Sequence, residues 1–195
     1  MRSITLPGED PTLILFHGTG GDENDLIALA RHVAPTHAIR SYRGITSENG
    51  MLRWFPRTGM NTFDETTVRE HIDAMIAGIR EDYSDEELAS SILIGYSNGA
   101  NAIAAMMQRG LAVRRAALLH PMLVLDDENT YDADLFVTLG ERDLMIPPEE
   151  AEKLIEHLKT RGARIETYTS PSGHEITSAE ADALRAWITA RADPR

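Results

Sequence analysis

The sequence predicts an α/β fold, with a mostly parallel central sheet and helices on both faces. Three observations predict it. Continuous apolar runs of strand length recur at residues 12–16, 91–94, 115–119 and 134–140, as expected of strands buried on both sides. Apolar residues at helical spacing lie between them, most clearly Val68, Ile72, Met75, Ile76 and Ile79. Turn signals punctuate the alternation, such as Pro148 before one helical stretch and Gly162 after it. Strands alternating with helices give a parallel sheet whose functional residues gather at the carboxyl ends of strands.

In order, residues 12–16 form the first main strand and end at His17-Gly18-Thr19-Gly20-Gly21. Leu26, Leu29, Ala30 and Val33 mark a short helix, and residues 38–42 a second strand. Residues 43–63 are rich in Gly, Pro, Asn and Arg and read as a long loop. The helix of Val68 to Ile79 follows, its capping box formed by Thr62 with Glu65 or Thr67 with Glu70. The strand at 91–94 leads into Gly95-Tyr96-Ser97-Asn98-Gly99, then a helix with Ala100, Ile103, Ala104 and Met107 inward. After the strands at 115–119 and 134–140 comes a helix from 148 to 161, with Ala151, Leu154, Ile155 and Leu158 buried. Residues 164–168 give the last strand. Leu184, Trp187 and Ile188 mark the last helix, capped by Thr177 and Glu180. No repeat or linker divides the chain, so residues 1–195 read as a single domain. Residues 123–134 are short and acidic, which predicts a compact fold lacking a large lid.

Bulk properties exclude several classes. The net charge of −12 repels phosphate backbones, so no nucleic-acid partner is expected. No apolar run approaches membrane-spanning length, and the N-terminus lacks the apolar stretch of a signal peptide. With no cysteine there is no disulfide or thiolate site, which suits a cytoplasmic protein. The seven histidines form no close-spaced ligand pair, so no metal site is expected.

Ser97 carries the chemistry. A serine flanked by glycines between a strand and a helix has the setting of a nucleophile elbow, where glycines relieve a tight turn. The pattern alone arises by chance in about 5–10% of chains this long, so its partners decide the matter. The expected chain order is serine, acid, histidine. Of the histidines after Ser97, His157 reads as a solvated helix residue. His120 ends a strand before Pro121 and can line the cleft. His174 lies in a loop between the last strand and last helix, the place for a base. Asp143 ends the strand before that unit and is the candidate acid, with Glu141, Asp126 and Asp127 as rivals. Ester cleavage also needs backbone N–H groups facing the developing oxyanion. Asn98 and Thr19 are the candidates, and His17 is read as a brace for the Thr19 loop.

Together these blocks resemble the phospholipase/carboxylesterase family of α/β-hydrolases, small serine esterases related to acyl-protein thioesterases. The resemblance rests on Leu15-Phe16-His17-Gly18-Thr19-Gly20-Gly21-Asp22-Glu23, Gly95-Tyr96-Ser97-Asn98-Gly99-Ala100, Gly140-Glu141-Arg142-Asp143 through Ile146-Pro147, and Ser172-Gly173-His174-Glu175. The stretch from Arg43-Gly44 through Arg53-Trp54-Phe55 to Phe63-Asp64 is like that of small bacterial members. The resemblance implies carboxylic-ester hydrolysis through an acyl-enzyme on Ser97, with Asp143 and His174 completing a triad and no cofactor. It also allows a homodimer, and it links some relatives to quinone or aromatic-compound responses. Two departures stand out. The His-Gly-Thr-Gly-Gly loop replaces the His-Gly-Leu-Gly form of the thioesterase branch, and the short N-terminus implies one or two missing edge strands.

The loop at 43–63 is the candidate pocket wall. Trp54, Phe55 and Met60 would hold an acyl or aromatic group, and Arg53 or Arg57 an acidic one. The competing reading has Trp54 and Phe55 pinning the loop to the core. Small soluble ester substrates are expected. Thioesterase or lysophospholipase activity on the same triad, or a non-catalytic binding protein on this scaffold, are the alternatives.

Overall fold

The computed structural model describes residues 1–190. Its strands are β1 (Ser3–Leu6), β2 (Glu9–Phe16), β3 (His37–Tyr42), β4 (Thr46–Glu48), β5 (Met51–Arg53), β6 (Ile92–Tyr96), β7 (Arg115–Leu119), β8 (Asp134–Gly140) and β9 (Arg164–Ser170). Its helices are α1 (Ile27–Val33), α2 (Glu65–Asp82), α3 (Asp85–Ser90), α4 (Asn98–Gln108), α5 (Pro148–Thr160) and α6 (Ser178–Ala190). Seven strands form one sheet in the order β1-β3-β2-β6-β7-β8-β9. Only β1 runs antiparallel, beside β3. The other neighbours are parallel. This is the α/β-hydrolase arrangement the sequence predicts, with an antiparallel edge strand at Ser3–Leu6 that it did not.

The period-two alternation of a strand sends neighbouring residues to opposite faces. Ile14 and Phe16 join a core with Val68, Ile72 and Ile79 of α2, Ile103 of α4 and Leu154 of α5. Leu13 and Leu15 join the opposite core with Ala30 of α1 and Leu184, Trp187 and Ile188 of α6. Both faces are therefore covered, which is why the central strands read as unbroken apolar runs.

The chain leaves β2 toward β3 on one side and returns on the other as β6. That reversal is a topological switch point, where such sheets open a crevice at their carboxyl ends. The register keeps these ends level: Phe16 faces Gly95, Tyr96 faces Leu119, Leu119 faces Thr138 and Gly140 faces Ser170.

Several local expectations change. The loop at 43–63 contains the β4–β5 hairpin, turned at Asn49 and Gly50 with φ of 51° and 80°. Asp64 caps α2, its side chain accepting from the Thr67 N–H, in place of either predicted capping box. The Thr177–Glu180 box at α6 forms as expected. His157 is buried, with Nδ1 2.9 Å from Asp126, because it falls on the inward stripe of α5.

Trp187 is buried against Phe136, ring centroids 5.9 Å apart, and anchors α6 against β8. Trp187→Ala is expected to cost about 3–5 kcal/mol of stability, read as a lower urea midpoint at unchanged slope.

Candidate active site

Ser97 lies between β6 and α4 with φ 51° and ψ −116°, a conformation sparsely open to L-residues. Two glycines permit it. A Cβ on Gly95 would come within 2.6 Å of the Gly99 backbone, and one on Gly99 would strike the carbonyls of Phe16 and His17. The second contact lies across the turn, on the end of β2. The Ser97 N–H donates to the Leu119 carbonyl at 2.8 Å, and the Asn101 N–H donates to the Ser97 carbonyl at 2.9 Å. The hydroxyl thus stands at the N-terminus of α4, the positive end of the helix.

His174, from the loop after β9, brings Nε2 to 2.8 Å from Ser97 Oγ and Nδ1 to 2.6 Å from Asp143 Oδ2. An ionised carboxylate only accepts, so Nδ1 carries the proton and Nε2 accepts from the hydroxyl. Asp143 Oδ1 accepts from the Met145 and Ile146 N–H groups, each at 2.9 Å. Burial pushes the Asp143 carboxyl up, but the Ile146 amide, His174 and the Met145 amide outweigh it and hold it below its ordinary value. The Tyr96 hydroxyl donates to the His174 carbonyl at 2.8 Å. Burial first, then the charges of Asp143, Glu180 and Glu175, push Tyr96 up to about 12, so it stays protonated at neutral pH. Of the rival acids, Asp126 pairs with His157 and Asp127 with Arg69.

His120 does not line the cleft. It is 1% exposed, behind Asp143, with Nδ1 3.2 Å from Asp143 Oδ2 and Nε2 3.2 Å from Glu180 Oε2. Carboxyl groups thus face both ring nitrogens. Burial lowers the His120 pKa, yet the bonds and charges of Glu180 and Asp143 raise it on balance. His120, Asp143 and His174 bring possible ligand atoms within 4.8 Å of one another. Sequence spacing does not reveal this cluster, which is knit by hydrogen bonds. Glu180, buried and reaching the acid through His120, is a site residue that sequence reasoning assigned only to a helix cap.

On the far side of Ser97, the loop after β2 is braced by His17, as expected. His17 Nδ1–H donates to the Gly18 carbonyl at 2.6 Å, and Nε2 accepts from the Gly44 N–H at 2.9 Å. Burial lowers its pKa, consistent with a neutral ring. Thr19 and Asn98 border the same cleft as Ser97 and His174. Asn98 opens α4, so its amide is among those a helix leaves without an internal partner.

Of the pocket candidates, Trp54 and Phe55 follow the competing reading and pin the loop to the core, and Met60 is corrected. Trp54 and Phe55 are fully buried and face the core. Trp54 Nε1–H donates to the His17 carbonyl at 2.8 Å, and its backbone N–H donates to Asn98 Oδ1 at 2.9 Å. It ties the two sides of the site together from beneath, and aromatic bulk in a loop gave no sign of that. Phe55 packs on Phe63, which itself reaches the cleft. Met60 is 79% exposed and absent from the cleft wall. Arg53 does border the cleft, as predicted, joined by Arg57. The cleft holds about 50 Å³, far below the roughly 300–1,000 Å³ of drug-sized pockets. A hollow of about 270 Å³ under residues 110–114 and 129–132 lies near the amino end of β7, away from Ser97.

The raised His120 pKa makes stability depend on pH. Its contribution is fully present below the ordinary histidine value of 6.5 and is lost as pH rises through the higher folded value. Glu180→Gln removes part of that contribution. The gap in melting temperature between wild type and Glu180→Gln should therefore be widest near pH 6 and narrow toward pH 9. A gap constant across that range would mean that folded His120 does not titrate within it.

Comparisons with known proteins agree with this fold. The family model for phospholipase/carboxylesterase matches residues 7–191. The putative hydrolase MhqD of Bacillus subtilis (strain 168) is 33% identical over 191 residues, covering 91% of this chain and 92% of that protein. The crystal structure of the Bacillus cereus carboxylesterase matches with a TM-score of 0.90 and 30% identity, covering 97% of this chain and 94% of that one. The carboxylesterase from Mesorhizobium loti matches with a TM-score of 0.86 and 31% identity over 93% and 90% of the two chains. The structure of YahD with malic acid matches with a TM-score of 0.87 and 28% identity over 97% and 98%. The chain belongs to the phospholipase/carboxylesterase family of α/β-hydrolases and is a hydrolase of the carboxylesterase type.

Proposed function

We propose that the protein cleaves carboxylic esters of small soluble substrates through an acyl-enzyme on Ser97. The observation that carries this reading is the unbroken hydrogen-bond path from Asp143 to His174 to Ser97, at 2.6 and 2.8 Å. A serine hydroxyl is a weak nucleophile until a base takes its proton. His174 Nε2 takes that proton as Oγ attacks the ester carbonyl, and Asp143 stabilises the imidazolium that forms. The Asn98 and Thr19 N–H groups hold the oxyanion. His174 then protonates the leaving alcohol. Water, deprotonated by His174, attacks the acyl-enzyme and releases the acid, and the proton returns to Ser97.

The narrow cleft favours small substrates. Among the described residues no helix is long and apolar enough to cross a membrane. The cysteine-free composition suits the cytoplasm, and the charge of −12 disfavours nucleic acid.

Ser97→Ala should keep the fold and lower turnover of short p-nitrophenyl esters by about 10⁴–10⁶-fold, with loss of labelling by a fluorophosphonate probe. Asp143→Asn should lower turnover by about 10⁴-fold, the cost of fixing the wrong imidazole tautomer. Near-normal turnover of Asp143→Asn would assign the acid's role to another carboxylate.

A further inference from the structure

The wall of the cleft opposite His174 carries an unusual charge count. Among the described residues, Arg53 and Arg57 both border it, and no carboxylate does. The described carboxylate that both reach is Glu48, on β4. Arg57 Nε donates to its two oxygens at 3.1 and 3.2 Å, while Arg53 Nε stands 3.6 Å from Oε2. Two guanidinium groups thus share one carboxylate, leaving about one net positive charge beside Ser97 on a chain of net charge −12.

Arg53 is held to this position. Its side chain is 5% exposed. Nη1 donates to Thr19 Oγ1 at 2.9 Å and Nε to the Phe55 carbonyl at 3.2 Å. Both acceptors are neutral. Burial depresses the Arg53 pKa, the charge of Arg57 depresses it further, and Glu48 opposes them only in part. A buried cation with incomplete compensation is costly, and an anion completing the set relieves that cost. The planar fork of a guanidinium matches a carboxylate in particular.

We propose that Arg53 and Arg57 form a carboxylate-binding subsite beside Ser97, so that the substrate is a short ester bearing a free carboxylate. The narrow cleft favours a short spacer between ester and acid. A half-ester of a short dicarboxylic acid has this form, with the ester carbonyl at Ser97 and the free acid on the arginines. The link from Arg53 to Thr19 would let the bound acid steady the oxyanion-side loop. This inference rests on the ester-hydrolase reading above and specifies its substrate class.

The test compares monoethyl succinate with ethyl succinamate, which replaces the carboxylate by a neutral amide of the same size. Hydrolysis is followed by pH-stat on the intact wild-type protein. The expected result is a kcat/KM ratio of roughly 10–100 in favour of the anionic ester, the worth of a charge-assisted hydrogen bond, falling as salt is raised. Arg57→Gln, at a part-exposed position, should reduce that ratio about tenfold or more, mainly through KM. Arg53→Lys keeps the charge but loses the fork and should also reduce the ratio. Equal kcat/KM for the two esters, with Ser97→Ala inactive on both, would overturn the subsite and leave the hydrolase reading standing. Hydrolysis that persists in Ser97→Ala would overturn the acyl-enzyme reading on Ser97 instead.

Discussion

Ser97 holds a backbone conformation that a side chain resists, and the rest of the site depends on it. Such strain costs on the order of 1–3 kcal/mol and persists only where the surroundings over-determine it. Here they do. β6 is locked between β2 and β7 by register, the Ser97 amide is bonded to β7, and its carbonyl starts the α4 ladder. Gly99 lets α4 press against the last carbonyls of β2. That close approach puts the first amides of α4 and the loop after β2 on the same side of the hydroxyl. A relaxed serine would turn its Oγ away from both.

The histidine is held by a second set of constraints, converging on a loop with no secondary structure. The Arg142 N–H donates to the Ser172 carbonyl at 3.0 Å, and Arg142 Nε donates to that of Pro171 at 2.7 Å. Gly140, without a Cβ, lets the Gly173 carbonyl pack against the end of β8. Tyr96, from the elbow strand, takes the carbonyl of His174 itself. The residue next to Ser97 therefore also fixes the backbone of His174. Asp143 meets all of this with both oxygens engaged, Oδ1 by two amides and Oδ2 by two histidines.

Order along the chain made much of this legible. Strand, elbow and helix around Ser97 follow from apolar pattern and glycine placement, and His174 and Asp143 from their position after successive strands. What escaped was long-range or short. β1 has four residues, too few for periodicity to speak. The β4–β5 hairpin had a signal, Asn49-Gly50, a pair suited to the positive φ of a tight two-residue turn. α3 had one too, the Ser84–Glu87 capping box. Trp54 and His120 had none. Their roles come from what lies opposite them, residues 17 and 98 for one and 143 and 180 for the other. Aromatic bulk in a loop suits a pocket wall and a buried strut equally, and only packing separates the two.

Charge bookkeeping ties the buried residues to the proposed reaction. Behind the proposed base, His120 sits between the carboxyl groups of Asp143 and Glu180. In the proposed reaction His174 takes the proton of Ser97 and becomes a cation beside Asp143, whose charge offsets it. The interior therefore favours charge separation between the imidazole and the attacking oxygen, which a low-dielectric site would otherwise oppose. The negative charge then forms at the opposite face, before the N-terminus of α4 and the loop that Arg53 holds.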